Sequence, residues 1–154
     1  MYLPDDIIYI ILAVVFGIAI GLEREIRGKA AGLRTNVLIC LGAAVFTIIS
    51  KEMSAGQSDS ITRIAAGVVT GIGFLGAGAI IRDRGGVHGL TTAATIWIVA
   101  SIGMACGAGL RSLAVISTFI VIVVLIGLGE LEKPLGRYRK KVNLQDTIDH
   151  QQDA

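Results

Sequence analysis

Polar side chains that could bind an ion or a ligand occur in this chain at the ends of long apolar runs. They are Glu23, Arg24, Arg34, Thr35, Asn36, Arg63, Arg82, Thr91 and Thr92. Ionisable groups near membrane depth are costly unless they are paired or hydrated, so such residues are candidates for function. All except Arg63 fall on one side of the apolar runs, where we predict a functional polar cluster. Arg63, on the other side, is better explained as an anchor or as a helix-start partner of Asp59.

Two interpretations of Glu23 and Arg34 stay open. One is a structural ion pair that joins the first helix to the second, and the other is the lining of a cavity that opens to one side of the membrane. The hydroxyls of Thr91 and Thr92 stand near the start of a predicted helix. Such hydroxyls usually bond back to a carbonyl one turn earlier, and a ligand role is the less favoured alternative.

The sequence contains no arrangement of residues typical of an enzyme. We find no paired nucleophile and base, and no phosphate-binding loop, zinc spacing or calcium loop. We therefore predict that the chain is not an enzyme, with no catalytic residue and no bound cofactor. A short basic segment near the carboxyl terminus lacks any recognisable nucleic-acid module, so no nucleic-acid partner is expected.

The segment GIGFLGAG, residues 71–78, has the glycine spacing of a dinucleotide-binding loop. That loop needs a strand before it and a helix that opens at the glycines, whereas these glycines lie inside an apolar run. Small residues let helices approach closely in lipid, so we predict helix packing instead. The predicted packing residues are Gly17, Gly21, Gly67, Gly71, Gly73, Gly76, Gly78, Gly103 and Gly107. A tight bundle and a homodimer both fit, and a break in the third helix stays open.

Five apolar runs without charged residues occupy positions 7–22, 35–50, 64–81, 89–110 and 112–129. Apolar residues make up 53% of the 154-residue chain, which is too many for a soluble domain. Each run is near the roughly 20 residues that a helix needs to cross a bilayer. We therefore predict an all-α, polytopic membrane protein with about five transmembrane helices within residues 1–130. A short basic and then polar tail follows in residues 131–154.

The basic residues are distributed unequally between the two sides of the predicted spans. Only Lys51, Arg63 and Arg111 fall on one side, and the other eleven of the 14 fall on the opposite side. Because basic loops stay inside, the amino terminus is predicted to lie outside and the carboxyl tail in the cytoplasm.

Three segments in this order form a specific combination of motifs. They are GLEREIRGKAAGLRTNVLICLGAAVF (21–46), RIAAGVVTGIGFLGAGAIIRD (63–83) and VHGLTTAATIWIVASIGMACGAG (87–109). Over about residues 7–129 the chain resembles the MgtC/SapB family of bacterial inner-membrane proteins. Many relatives carry a C-terminal ACT-like domain for which this sequence has no room, so the resemblance is to a short form. Thr91 stands where some virulence-associated members have asparagine, which weakens the case for a virulence role.

The resemblance implies a multi-pass protein of the bacterial inner (cytoplasmic) membrane. It implies a regulator of magnesium homeostasis, low-magnesium growth and membrane energetics that contacts other membrane proteins, the ATP synthase among them. The alternative is a transporter or channel component for magnesium or another cation. Glu23 and Asp83 are then the candidate Mg²⁺ ligands, because magnesium keeps several waters and takes one or two carboxylates.

Overall fold

A computed structural model of the chain describes residues 4–54, 58–83 and 86–152. The elements follow in the order α1 (Pro4–Ile26), α2 (Leu33–Met53), α3 (Ser58–Gly78), β1 (Ile81–Asp83), β2 (Gly86–His88), α4 (Leu90–Gly107) and α5 (Arg111–Gln152). The described part of the chain is therefore almost entirely helical, which confirms the predicted fold class.

Helices α1, α2 and α4 form the core of the bundle, and small residues dominate their contacts. The buried core residues are Ala13, Ile20, Cys40, Ala44, Val99, Ile102, Ala105, Cys106 and Ala114. Both cysteines are free thiols within this core. With little hydrophobic drive between helices in lipid, close backbone packing supplies the stabilising contacts.

Four of the predicted packing glycines lie at these contacts. A Cβ atom at Gly17 would stand 2.8 Å from Val37 Cα, and one at Gly21 would stand 2.9 Å from Leu33 Cα. On the other side of α2, Gly103 lies against the Cys40 carbonyl, and Gly107 lies against the Ala44 carbonyl. Helix α2 is thus packed between α1 and α4 at distances that no larger residue permits.

The glycines of α3 behave differently. Gly76 makes ordinary contact with α4, where its Cβ position is 3.6 Å from the Ala93 carbonyl oxygen. At Gly67, Gly71, Gly73 and Gly78 no atom lies within 4 Å of the Cβ position. The predicted packing role of these four glycines is therefore not formed within the described chain, because they lie on faces of α3 that turn away from α4.

Four helices of the described chain are long and apolar enough to cross a membrane, namely α1, α2, α4 and the first part of α5, Arg111–Leu131. In α3 the apolar stretch is shorter and runs from Ala65 to Gly78. At 1.5 Å per residue these 14 residues extend about 21 Å, less than the roughly 30 Å of a bilayer core. The third predicted span, 64–81, was too long because Ile81 belongs to a strand.

A short hairpin follows α3 and was not predicted. Ile81 pairs with His88, and Asp83 pairs with Gly86, in an antiparallel register. Gly89 then begins α4 with a φ of +88°, and its Cβ position would collide with the Ala79 carbonyl. The hairpin therefore closes tightly onto the end of α3, and only glycine fits at the point of contact.

Helix α5 packs along the bundle through one narrow stripe. Ala114 and Thr118 are buried, and Thr118 Oγ1 donates to the Ala114 carbonyl at 2.8 Å. The helix continues beyond its apolar part to Gln152. Residues of the predicted tail as far as Gln152 are therefore helical.

Candidate functional site

The buried polar residues of the predicted cluster meet where α1 ends and where α2 and α4 begin. Glu23 and Arg24 lie in the last turns of α1, Asn36 lies in the first turn of α2, and Thr92 lies in the first turn of α4. All four are buried, and Arg24 is only 2% exposed. The structure therefore places these four members of the predicted cluster on one side of the bundle, and their functional role stays a prediction.

The carboxylate of Glu23 is neutralised by Arg24 of its own helix and by Arg27, the first residue after α1. Glu23 Oε1 lies 2.5 Å from Arg27 Nε, and Glu23 Oε2 lies 3.6 Å from Arg24 Nη1. Neither oxygen is aligned for a hydrogen bond in these contacts. Arg27 also reaches Glu130 of α5 at 3.4 Å, so the cluster links α1 to the last helix.

Arg24 connects this ion pair to α4. Its Nη2 donates to Thr92 Oγ1 at 3.5 Å, a contact between residues 68 positions apart in the chain. Its Nε has no hydrogen-bond partner among the described residues. Burying a charge is tolerated only when it is paired, and Glu23 provides the opposite charge.

Asn36 holds the turn between α1 and α2. Its Nδ2 donates to the carbonyl oxygens of Ala31 and Gly32, both at 2.8 Å. The first amide of α2, on Leu33, donates to Glu25 Oε2 at 2.8 Å. The Asn36 side chain therefore holds the local backbone, although its Oδ1 has no hydrogen-bond partner within the described chain.

The other predicted site residues are not part of this buried cluster. Arg34 is exposed, and the ion pair predicted between Glu23 and Arg34 is not formed because Arg24 and Arg27 take its place. Thr91 is also exposed, and its carbonyl accepts a 2.7 Å hydrogen bond from Thr95 Oγ1. The remaining exposed candidates are Thr35, Arg63, Arg82 and Asp83.

An apolar groove of about 1310 Å³ lies between α2 and α3, with α4 at its floor. Arg34 and Thr35 stand at one end, Arg63 stands on α3, and Thr92 and Ile96 belong to the floor. This groove differs from the cavity considered for Glu23 and Arg34, because its lining includes Arg34 but not Glu23. The length of the groove and the contribution of Arg63 were not predicted.

The described residues do not form a preassembled metal centre. No group of three or more histidine, cysteine, aspartate or glutamate side chains lies close enough to hold an ion in this part of the chain. Of the two candidate carboxylates, Glu23 faces two guanidinium groups, and Asp83 stands 3.5 Å from His88 Nε2 on the hairpin. Glu23 thus lacks the hydrated, anionic surroundings that Mg²⁺ prefers, whereas the side chain of Asp83 is 57% exposed.

Comparison with known families decides the classification of this bundle. The profile of the MgtC family matches residues 10–134, which include all the helices of the bundle core. The chain belongs to the MgtC family. It is 49% identical over 112 residues to "Protein MgtC" of Brucella abortus, a match that covers 73% of this chain and 46% of that protein.

Two further relatives of this MgtC-family chain come from enteric bacteria. "Protein MgtC" of Salmonella typhimurium is 48% identical over 124 residues, covering 80% of this chain and 52% of the relative. "Putative magnesium transporter YhiD" of Escherichia coli K12 is 47% identical over 130 residues, covering 79% and 59%. The chain thus spans about half the length of these relatives. No solved structure matches the chain.

Proposed function

We propose that this MgtC-family chain is a regulator in the bacterial inner membrane, linked to magnesium homeostasis and growth in low magnesium, that acts by contacting other membrane proteins. The link to magnesium rests on the names and family of its relatives. The mode of action rests on one observation, the composition of the outward face of α3.

That face consists of Ala66, Thr70, Gly73 and Ala77, which recur at the spacing of one side of a helix. All four are exposed, and no atom lies within 4 Å of the Cβ position of Gly73. Phe74 beside them is 80% exposed. Small residues next to an exposed aromatic ring form a surface against which a second helix packs closely. By contrast, α5 exposes mainly large aliphatic side chains, which suit contact with lipid.

The partner is proposed to be another inner-membrane protein, and the family resemblance makes the ATP synthase the first to test. A second copy of this chain is the other helix that this face could receive. In either case the short apolar stretch of α3 favours association. A helix shorter than the bilayer core reduces its hydrophobic mismatch by packing beside a longer helix.

Cation transport is the alternative, and the name of the Escherichia coli relative favours it. Transport would need carboxylates free to replace part of the hydration shell of an ion. Glu23 is instead held between Arg24 and Arg27, where a cation would have to displace a guanidinium group. This arrangement supports the regulator over the transporter.

The test measures growth in low magnesium. The bacterial strain lacks its own MgtC-family protein and expresses this chain or one of its variants. Gly73→Leu places a large side chain on the outward face without an intrachain clash and should abolish rescue at unchanged membrane abundance. Gly127→Leu is the matched control, since its Cβ position on α5 is equally free, and it should rescue fully. Full rescue by Gly73→Leu would reject the contact surface.

A further inference from the structure

The wall of the groove on α2 has about the length of a single lipid leaflet, and the wall on α3 extends further, to Arg63. The α2 wall runs from Arg34 to Phe46, 13 residues that extend about 18 Å along the helix. Half of a bilayer core is about 15 Å. On the opposite wall, Gly67, Gly71 and Gly78 leave the groove deep, because nothing lies within 4 Å of their Cβ positions. The groove can therefore accept a chain-like apolar group along its length.

The charges that line the groove are all positive. Arg34 and Arg63 are its charged residues, and the lining contains no aspartate or glutamate. Neither arginine forms an ion pair with any carboxylate whose side chain the structure describes. The nearby acid Glu25 is directed to the backbone amide of Leu33. An apolar groove with a free guanidinium group at its end is complementary to an anionic amphiphile.

We propose that this groove binds one phospholipid, with its phosphate at Arg34 and Thr35 and its acyl chains along α2 and α3. A guanidinium group binds phosphate oxygens in a bidentate, charge-assisted manner. The Thr35 hydroxyl donates a further hydrogen bond, and the amino-terminal turn of α2 favours negative charge. Leu38 and Phe46, which are exposed apolar groove residues, then lie against the acyl chains.

A second copy of this chain is a poorer occupant of the groove. Two parallel copies related by a two-fold axis present the same surface to each other. They would bring Arg34 towards the Arg34 of the partner in an apolar setting, where like charges repel strongly. A phospholipid neutralises the same arginine, so the charge pattern favours lipid.

This inference does not rest on the proposed function, because the two use different faces of α3. Gly71 lines the groove, whereas Gly73 lies on the outward face. A leucine at Gly71 fills the groove without meeting any atom within 4 Å of its Cβ, and a leucine at Gly73 leaves the groove unchanged. Failure of one proposal is therefore distinguishable from failure of the other.

The test is native mass spectrometry of the purified full-length protein after reconstitution with equal amounts of phosphatidylglycerol and phosphatidylethanolamine. We expect one retained phospholipid per chain, with phosphatidylglycerol preferred because its net charge is negative. Arg34→Gln should weaken retention at least about tenfold, as expected for loss of a charge-assisted contact. Gly71→Leu, which fills the groove, should abolish retention. The controls Gly127→Leu, Gly73→Leu and Arg82→Gln should retain lipid as the wild type does.

Two results would overturn the inference. One is a folded wild-type protein that retains no phospholipid, or retains it equally in Arg34→Gln and Gly71→Leu. The other is a lipid-free dimer that Gly71→Leu dissociates, which would assign the groove to a second copy. Circular dichroism and the thermal unfolding midpoint of each variant establish that the fold is intact.

Discussion

Glu23, in the last turn of α1, and Arg27, directly after the helix, form a largely buried ion pair in which Oε1 and Nε are 2.5 Å apart. Arg24 approaches the second carboxylate oxygen and continues to Thr92 on α4. Glu23 is the first candidate cation ligand in the sequence. In the structure its contacts with Arg24 and Arg27 link α1 to α4 and α5. Its role in this account is structural.

The first prediction concerns Arg24. Replacing it by glutamine removes a buried charge that neutralises Glu23 and contacts Thr92, and breaking such a pair costs about 3 kcal/mol. We expect a clearly lower unfolding midpoint, measured through the fluorescence of the single tryptophan, Trp97. The exposed-charge control Arg82→Gln should change the free energy of unfolding by less than about 0.5 kcal/mol. Equal stability of the two variants would show that the buried cluster is not structural.

The second prediction contrasts two glycines. Gly103→Ala forces a methyl group against the Cys40 carbonyl and should destabilise the bundle by about 2 kcal/mol, the typical cost of overpacking. Gly73→Ala meets no neighbour and should stabilise α3 by about 0.5–1 kcal/mol, because alanine is the better helix former. Chemical unfolding in detergent measures both differences. Opposite signs are expected, and effects of the same sign would contradict the packing described here.

The third prediction concerns Asn36, which is fully buried. Asn36→Asp removes the two donors that hold the carbonyls of Ala31 and Gly32 and places a carboxylate beside those oxygens. We expect a loss of about 3 kcal/mol, as for a buried acceptor without a donor. Asn36→Leu should cost less, because it introduces no charge. Thermal unfolding of the two variants gives the order, and an Asn36→Asp variant as stable as wild type would refute the assignment.

Much of the helical architecture follows from local sequence. Long apolar runs predict the spans, and the small-xxx-small pairs 17/21 and 103/107 lie at close helix contacts, where a Cβ atom would meet the backbone of α2. The Arg27 contact also had a local signal, the four-residue spacing from Glu23. The sequence analysis considered only Arg34 as an ion-pair partner of Glu23, as one of two open interpretations, and the structure pairs Glu23 with Arg24 and Arg27 instead.

Other features depend on tertiary packing and could not be predicted from pattern. Small residues cover most of the α3 surface, so composition does not show which face contacts α4. The groove depends on the rotation of α3 about its axis. The hairpin had a weak signal in Gly85–Gly86 between strand-forming residues, but the apolar run through Ile81 favoured a longer helix.

The most direct test of the central claim is magnesium flux into proteoliposomes that contain only this purified protein and a trapped indicator. For both the wild type and Glu23→Gln we expect magnesium flux no greater than that of protein-free vesicles. Protease accessibility verifies that each protein is inserted. Saturable flux that falls in Glu23→Gln would contradict it, because Glu23 would then bind the ion rather than hold the bundle together.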